Sequence, residues 1–197
     1  MVNIFKLFPK FISARWIFQK PKQKKFVIYD FGNSHILFNY IKKKEAAIYY
    51  TKWEEINFYI IYYILINYGF KNLQKNYKTV FFIFVKPKIA ITLMSSYVAF
   101  YKLKKQFPQL ITIAIQNNVG NSEFMKILKT SKKNTLSCDY FLFFSEAFKK
   151  IYENYISIKK SIVVGSFRNN NYNFNSQNKK KILFISKINW NSKSALN

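Results

Sequence analysis

IAITLMSSYVAFYKLKKQFPQLITIAIQ, residues Ile89 to Gln116, decides the fold class. A short apolar run, Ile89–Leu93, reads as a strand, and Tyr97–Phe107 follows with helical spacing. Pro108 cannot continue a helix, so the helical stretch stops there and Leu110–Gln116 begins a second strand. Strands separated by a helix of this length are joined by a crossover rather than a hairpin, which makes them parallel.

The same grammar extends in both directions. Leu73–Val85 is helical, is cut by Pro87, and feeds the strand at Ile89. Upstream, Lys25–Asp30 reads as a strand, and Gly32, Asn33 and Ser34 form a turn and helix start. Ala46–Thr51 is the next strand. Glu54–Tyr68 then reads as a helix, with acids where the dipole favours them and Gly69 just past its end. Downstream come a helix over 123–132, a strand over Asp139–Phe144, a helix capped by Ser145 through about Tyr155, and a strand at Ile162–Val164. Continuous apolar strands alternating with helices predict an α/β fold: a Rossmann-like parallel sheet with helices on both faces.

Residues 1–24 read as a basic N-terminal segment and 25–168 as one Rossmann-like domain. NNNYNFNSQNKKK, over 169–181, is polar and low in complexity, as linkers are. Residues 182–197 open with ILFIS, which reads as the first strand of a second domain.

Composition limits the function classes. The 197 residues are 50% hydrophobic, enough for a substantial core. A single cysteine, Cys138, excludes an intrachain disulfide, and a single histidine, His35, excludes the usual His and Cys zinc sets. Cys138 reads as a buried, inert thiol. The formal net charge of +25 points toward a polyanion, yet only two of the 33 basic residues, Arg15 and Arg168, are arginine. Lysine, Asn, Ile, Phe and Tyr together are the set that A/T-rich codons encode, and the lysines are spread along the chain. A generally solvated basic surface explains this pattern; attraction toward an anionic membrane face or phosphorylated substrates stands beside it. Nucleic acid is disfavoured, because most aromatic residues fall at core positions of strands and helices.

The N-terminal stretch is interrupted by Lys6, Pro9, Lys10 and Arg15 and makes a poor export signal. Phe5, Phe8, Ile12 and Trp16 suit either a membrane-surface helix or a segment packed on the domain. The longest apolar stretch, Ile56–Phe70, is too short to span a bilayer and reads as a buried helix.

Ligands of open parallel sheets bind outside the carboxyl ends of the strands. That rule gathers Asp30 with Gly32, Asn33, Ser34 and His35, Thr51 with Glu54 and Glu55, Ser95 with Ser96, Gln116, Asn117 and Asn118 with Gly120, Ser145 with Glu146, and Gly165 with Ser166, polar groups of short reach suited to a hydroxyl-rich ligand. Glu54 and Glu55 are the candidate bases for an attacking hydroxyl. Neighbours on a helix point about 100° apart, so one faces the site and the other serves the dipole, unless both are only helix-start acids. Asp30 either accepts backbone hydrogen bonds in the Gly32 turn or contacts ligand hydroxyls. His35 lacks triad partners. No GxGxxG or phosphate loop occurs, which removes the specific case for dinucleotide binding and P-loop hydrolysis.

YDFGNSH (29–35), EEIN (54–57), VKPKIAIT (85–92), FYKLKKQFP (100–108), IAIQN (113–117), CDYFLFFSEAFKKIYENYI (138–156) and IVVGSFRNN (162–170) occur in this order. Together they resemble bacterial surface carbohydrate biosynthesis proteins of the GT-B glycosyltransferase type. The resemblance implies two Rossmann-like domains, with a carbohydrate or lipid-linked acceptor on the first and a nucleotide-sugar donor on the second. It implies that 25–168 is the acceptor-side domain and that the donor half stops after one strand, which would leave the chain inactive alone. Glu54 or Glu55 would meet the acceptor, with Asp30, Asn33, Gln116 and Asn117 positioning hydroxyls and Ser166 near the interdomain cleft. No metal or cofactor is called for. The implied location is the cytoplasm, with peripheral contact at the inner membrane face. One departure stands out: Gln116-Asn117 is followed by Asn118 rather than glycine, and Gly120 falls later. The alternative reading is a noncatalytic basic module that binds anionic membrane or nucleic acid.

Overall fold

A computed structural model describes residues 9, 11–69, 73–118, 122–131 and 135–168. The linker and the opening strand of a second domain, expected over 169–197, lie outside the described residues. Six strands form one all-parallel sheet: β2 (Phe26–Tyr29), β3 (Ala46–Tyr49), β5 (Ile89–Thr92), β6 (Ile111–Ile115), β7 (Ser137–Phe143) and β8 (Ser157–Val163). Their spatial order is β3-β2-β5-β6-β7-β8. A second, two-stranded parallel sheet pairs β1 (Arg15–Ile17) with β4 (Glu55–Asn57).

The crossovers are α1 (Phe58–Tyr68) and α2 (Leu73–Val85) between β4 and β5, α3 (Val98–Tyr101) and α4 (Leu103–Gln106) before β6, α5 (Ser122–Thr130) before β7, and α6 (Glu146–Glu153) before β8. All six of these helices contribute to one core with Val27, Tyr29, Tyr49, Ala90, Ala114, Phe141 and Phe143 from the sheet. The opposite face carries a smaller cluster of Ile28, Ile91 and Ile115, met by Leu37 from the 3-10 helix Ser34–Asn39. The unequal shares follow from handedness. Right-handed crossovers running from β5 to β8 put their helices on one face, and only the β2 to β3 connection, which runs the other way, falls on the second.

Aromatic rings fill the main core. Phe141 and Phe143, two residues apart on β7 and hence on one face, stack at 4.0 Å, and Tyr152 of α6 meets both edge-on. Tyr29 packs on Tyr49 and Phe100 in the same layer.

Two sequence expectations are corrected. The helix expected from Glu54 begins only at Phe58, because Glu55–Asn57 is drawn into β4 by pairing with Arg15–Ile17. Asn57, in extended conformation, becomes the N-cap, its Oδ1 accepting from the Ile60 N–H at 3.3 Å. Nor is α1 a buried helix: Ile60, Ile61 and Ile64 are buried, while Phe58, Tyr59, Tyr62, Tyr63, Ile66 and Tyr68 are exposed. It packs against α2, and Phe18 touches its first turn, yet these six side chains stay exposed. No helix among the described residues is long and apolar enough to cross a membrane.

Candidate functional site

In the sheet, β2 lies between β3 and β5. The chain therefore leaves β2 in one direction for β3, returns across it to β5, and continues the other way. Such a switch point opens a crevice at the carboxyl ends of the two central strands, here β2 and β5.

Asp30 follows β2 directly and is buried, with a left-handed φ of 84°. A non-glycine residue there is strained unless its surroundings hold it, and these do. Its N–H donates to the Tyr49 carbonyl at 2.9 Å. Its Oδ1 accepts from the Gly32 N–H at 3.2 Å, and its Oδ2 from the Thr51 hydroxyl at 3.2 Å. Thr51 Oγ1 is also 3.4 Å from the Tyr97 phenol oxygen. The carboxylate thus holds the Gly32 turn, as one of the two readings of Asp30 expected, and it also bonds Thr51.

Burial raises the Tyr97 phenol above its ordinary pKa; the hydrogen bond with Thr51 opposes that shift, while a hydrogen bond with Asp30 and the charges of Asp30 and Glu54 reinforce it. The phenol thus stays protonated and shares hydrogen bonding with Thr51 and Asp30. Three strand ends supply this cluster: Asp30 from β2, Thr51 from β3 and Tyr97 from β5. Gly32 lies beside the third loop, where a Cβ on it would be in ordinary van der Waals contact with the Met94 sulfur at 3.5 Å.

Glu54 and Glu55 separate. Glu55 forms an ion pair with Arg15 across β1 and β4. Glu54 is exposed; its Oε2 accepts from the Lys52 N–H at 3.1 Å, and its charge is felt at Tyr97. Asn33 occupies the left-handed region at φ 60° and starts the 3-10 helix with no side-chain cap. His35 is exposed in that helix.

Farther along the edge, Gln116 is buried and both ends of its amide are engaged. Its Oε1 accepts from the Phe144 N–H at 3.0 Å and its Nε2 donates to the Asn118 carbonyl at 3.1 Å. Gln116 therefore ties the β6 and β7 exit loops together, with half-buried Asn117 beside it. Ser166 is half-buried in the β8 exit loop after Gly165, whose φ of 71° suits glycine. That loop turns back over the smaller core cluster, placing Phe167 5.2 Å from Tyr40 just past the 3-10 helix. The Ser95 and Tyr152 hydroxyls are buried without a hydrogen bond of ordinary geometry. Burial raises the Tyr152 phenol, and nearby Ser95 tempers the rise.

Sequence reasoning missed Tyr97, which it assigned to the first position of a helix. The residue sits one position before α3, and the only available signal was its place right after a strand-end Ser-Ser. A cavity of about 580 Å³ also opens at the amino ends of β5 and β6, lined by Phe82, Lys86, Pro87, Phe107 and Pro108 among others. It lies on the opposite edge from the switch point and contains no carboxylate. Among the described residues no group of three or more His, Cys, Asp or Glu is placed to hold a metal ion.

Residues 113–196 match a family model described as "putative O-antigen biosynthesis protein". The matched span is under half of the chain. It starts in β6 and takes in Gln116, Asn117 and Ser166, but not Asp30, Thr51, Glu54 or Tyr97. Similarity to O-antigen biosynthesis proteins is thus carried by the β6–β8 half of the sheet and the residues C-terminal to it. Neither a curated protein nor a solved structure matches the chain.

Proposed function

We propose that the chain is the acceptor-side domain of a glycosyltransferase-like protein of surface polysaccharide assembly, acting with a nucleotide-sugar-binding domain. The observation that carries this reading is the match of residues 113–196 to an O-antigen biosynthesis family. The switch-point crevice supports it, being lined by short polar groups rather than by a phosphate-binding glycine loop.

In this reading Asp30 and Thr51 hold a sugar hydroxyl and Tyr97 donates to a neighbouring oxygen. Glu54 is the base. As the acceptor oxygen bonds to the anomeric carbon of the donor, its proton passes to the Glu54 carboxylate, and the bond from that carbon to the diphosphate breaks, releasing the nucleoside diphosphate. Glu55, held by Arg15, fixes the strand that presents Glu54. Asn33, Gln116, Asn117 and Ser166 border the acceptor path. Gln116 contributes by holding loops, since its own amide is already satisfied.

The test is genetic and biochemical together. Deleting the gene in its bacterium should shorten or abolish the surface polysaccharide ladder on a gel, and the wild-type gene should restore it. Asp30→Ala and Glu54→Gln, expressed to the same level, should not. A normal ladder in the deletion strain would remove the proposal.

A further inference from the structure

The exposed side of α1 is a continuous aromatic and aliphatic surface. Phe58 and Tyr62 stack at 6.4 Å on successive turns, and Phe18 extends the row with its ring 5.6 Å from Phe58. Ile66 continues it by one more turn and is 65% exposed; Tyr62 is 55% exposed and Phe18 66%. Tyr63 leans edge-on against Phe84 of α2 at 5.4 Å, and the Lys20 ammonium sits over that same Phe84 ring at 5.9 Å. Folded chains seldom leave this many large apolar side chains side by side in water.

Charge identifies the occupant. Between Glu55 and Glu123 the chain has eight lysines and no carboxylate, and this stretch contains both α1 and α2. Lys75 is exposed at the start of α2. Burial lowers the Lys78 ammonium below its ordinary pKa, and the positive charges of Lys102 and Lys75 add to that fall. A second copy of the chain docking here would bring together two molecules that each carry a formal net charge of +25, with Lys20 of each beside the contact. An anionic lipid surface supplies the missing negative charge. The side chains also fit a bilayer interface. Tyrosines combine an apolar ring with a polar tip suited to headgroup depth, and lysines reach outward to phosphates.

We propose that the outer face of α1, with Phe18 and Lys20, docks the protein on an anionic membrane as an interfacial helix lying in the headgroup plane. The inference is independent of the glycosyltransferase reading, because it rests on surface chemistry alone.

The full chain is tested by co-sedimentation with phosphatidylcholine vesicles and with vesicles that also contain phosphatidylglycerol. The expected result is binding to the anionic vesicles, weakened by added salt. In Tyr62→Ser/Ile66→Ser, binding should fall by about tenfold. Both positions are exposed, so the thermal midpoint of this variant should match wild type. Three results would overturn the proposal: no binding to anionic vesicles, binding that the double variant leaves unchanged, or a wild-type dimer in sedimentation equilibrium that the double variant dissociates. A failed vesicle assay with a normal phenotype for Asp30→Ala would be a separate failure of the functional reading.

Discussion

Asp139, near the start of β7, is held by partners from two other elements. Both carboxylate oxygens lie 3.0 Å from the Lys104 ammonium, and Oδ2 also accepts from the Thr112 N–H at 2.9 Å and its hydroxyl at 3.1 Å. Burial alone would raise this carboxyl, but the bonds from Thr112 and Lys104 outweigh it and hold the pKa below its ordinary value. A carboxyl whose pKa is depressed by folding stabilises the native state above the unfolded-state value and loses that contribution as pH falls through the folded one. The urea midpoint should therefore drop as pH goes below about 4, and Asp139→Asn should flatten that part of the profile. At neutral pH the same substitution is expected to cost about 1–3 kcal/mol in urea unfolding, because it disrupts the bonds to Lys104 and Thr112. An unchanged acid limb in the variant would contradict this account. The place of Asp139 at the amino edge of the sheet, away from the crevice, was readable from its position in the strand. Its partners were not, because Lys104 and Thr112 are reached only through folding. Cys138 beside it is buried, as its sequence reading expected, and burial raises its thiol well above the ordinary range.

At the scale of elements, the strands β2, β3, β5, β6 and β7 and the helix α2 fall where hydrophobic runs and prolines place them. Those signals are local: Pro87 and Pro108 end helical stretches through the lost N–H and the ring clash whatever the rest of the chain does. The segment from Glu54 to Tyr68 was misjudged for the opposite reason. Glu55–Asn57 becomes a strand because Arg15–Ile17 lies beside it, a pairing across 40 residues that no local window contains. The same error concealed the division of labour between the two glutamates, which depends on Arg15 claiming one of them. Asn57 joins these pieces. It caps α1, its Nδ2 donates to the Gln19 carbonyl at 2.8 Å, and its N–H donates to the Tyr77 phenol oxygen at 2.8 Å. Replacing Asn57 by Ala leaves the last of these in place and removes the other two. A loss of about 1 kcal/mol in denaturant unfolding is expected, typical of a missing N-cap. A stability equal to wild type would mean that the cap does not hold α1.

At the scale of the whole molecule, topology selects the site. A parallel sheet of alternating apolar strands was legible from the sequence, but the order β3-β2-β5-β6-β7-β8 was not, and that order places the crevice at Asp30 and Tyr97 instead of at Gln116 or Ser166. Asp30 and Asn33 were within reach of strand-end reasoning. Tyr97 required knowing that β5 neighbours β2. The net charge, readable at once, says little by itself about a partner. Only the folded molecule shows that one side of α1 is an exposed aromatic surface with Lys20 beside it.

The central claim is that the crevice between the β2 and β5 exit loops receives a sugar acceptor. The most direct measurement is a backbone amide NMR titration of the full chain with an O-antigen repeating-unit oligosaccharide. Shifts should concentrate at 30–33, 51–54 and 94–97 and disappear in Asp30→Ala. Shifts confined to the opposite cavity around Lys86–Lys88 and Phe107–Leu110, or none at saturating sugar, would contradict the account.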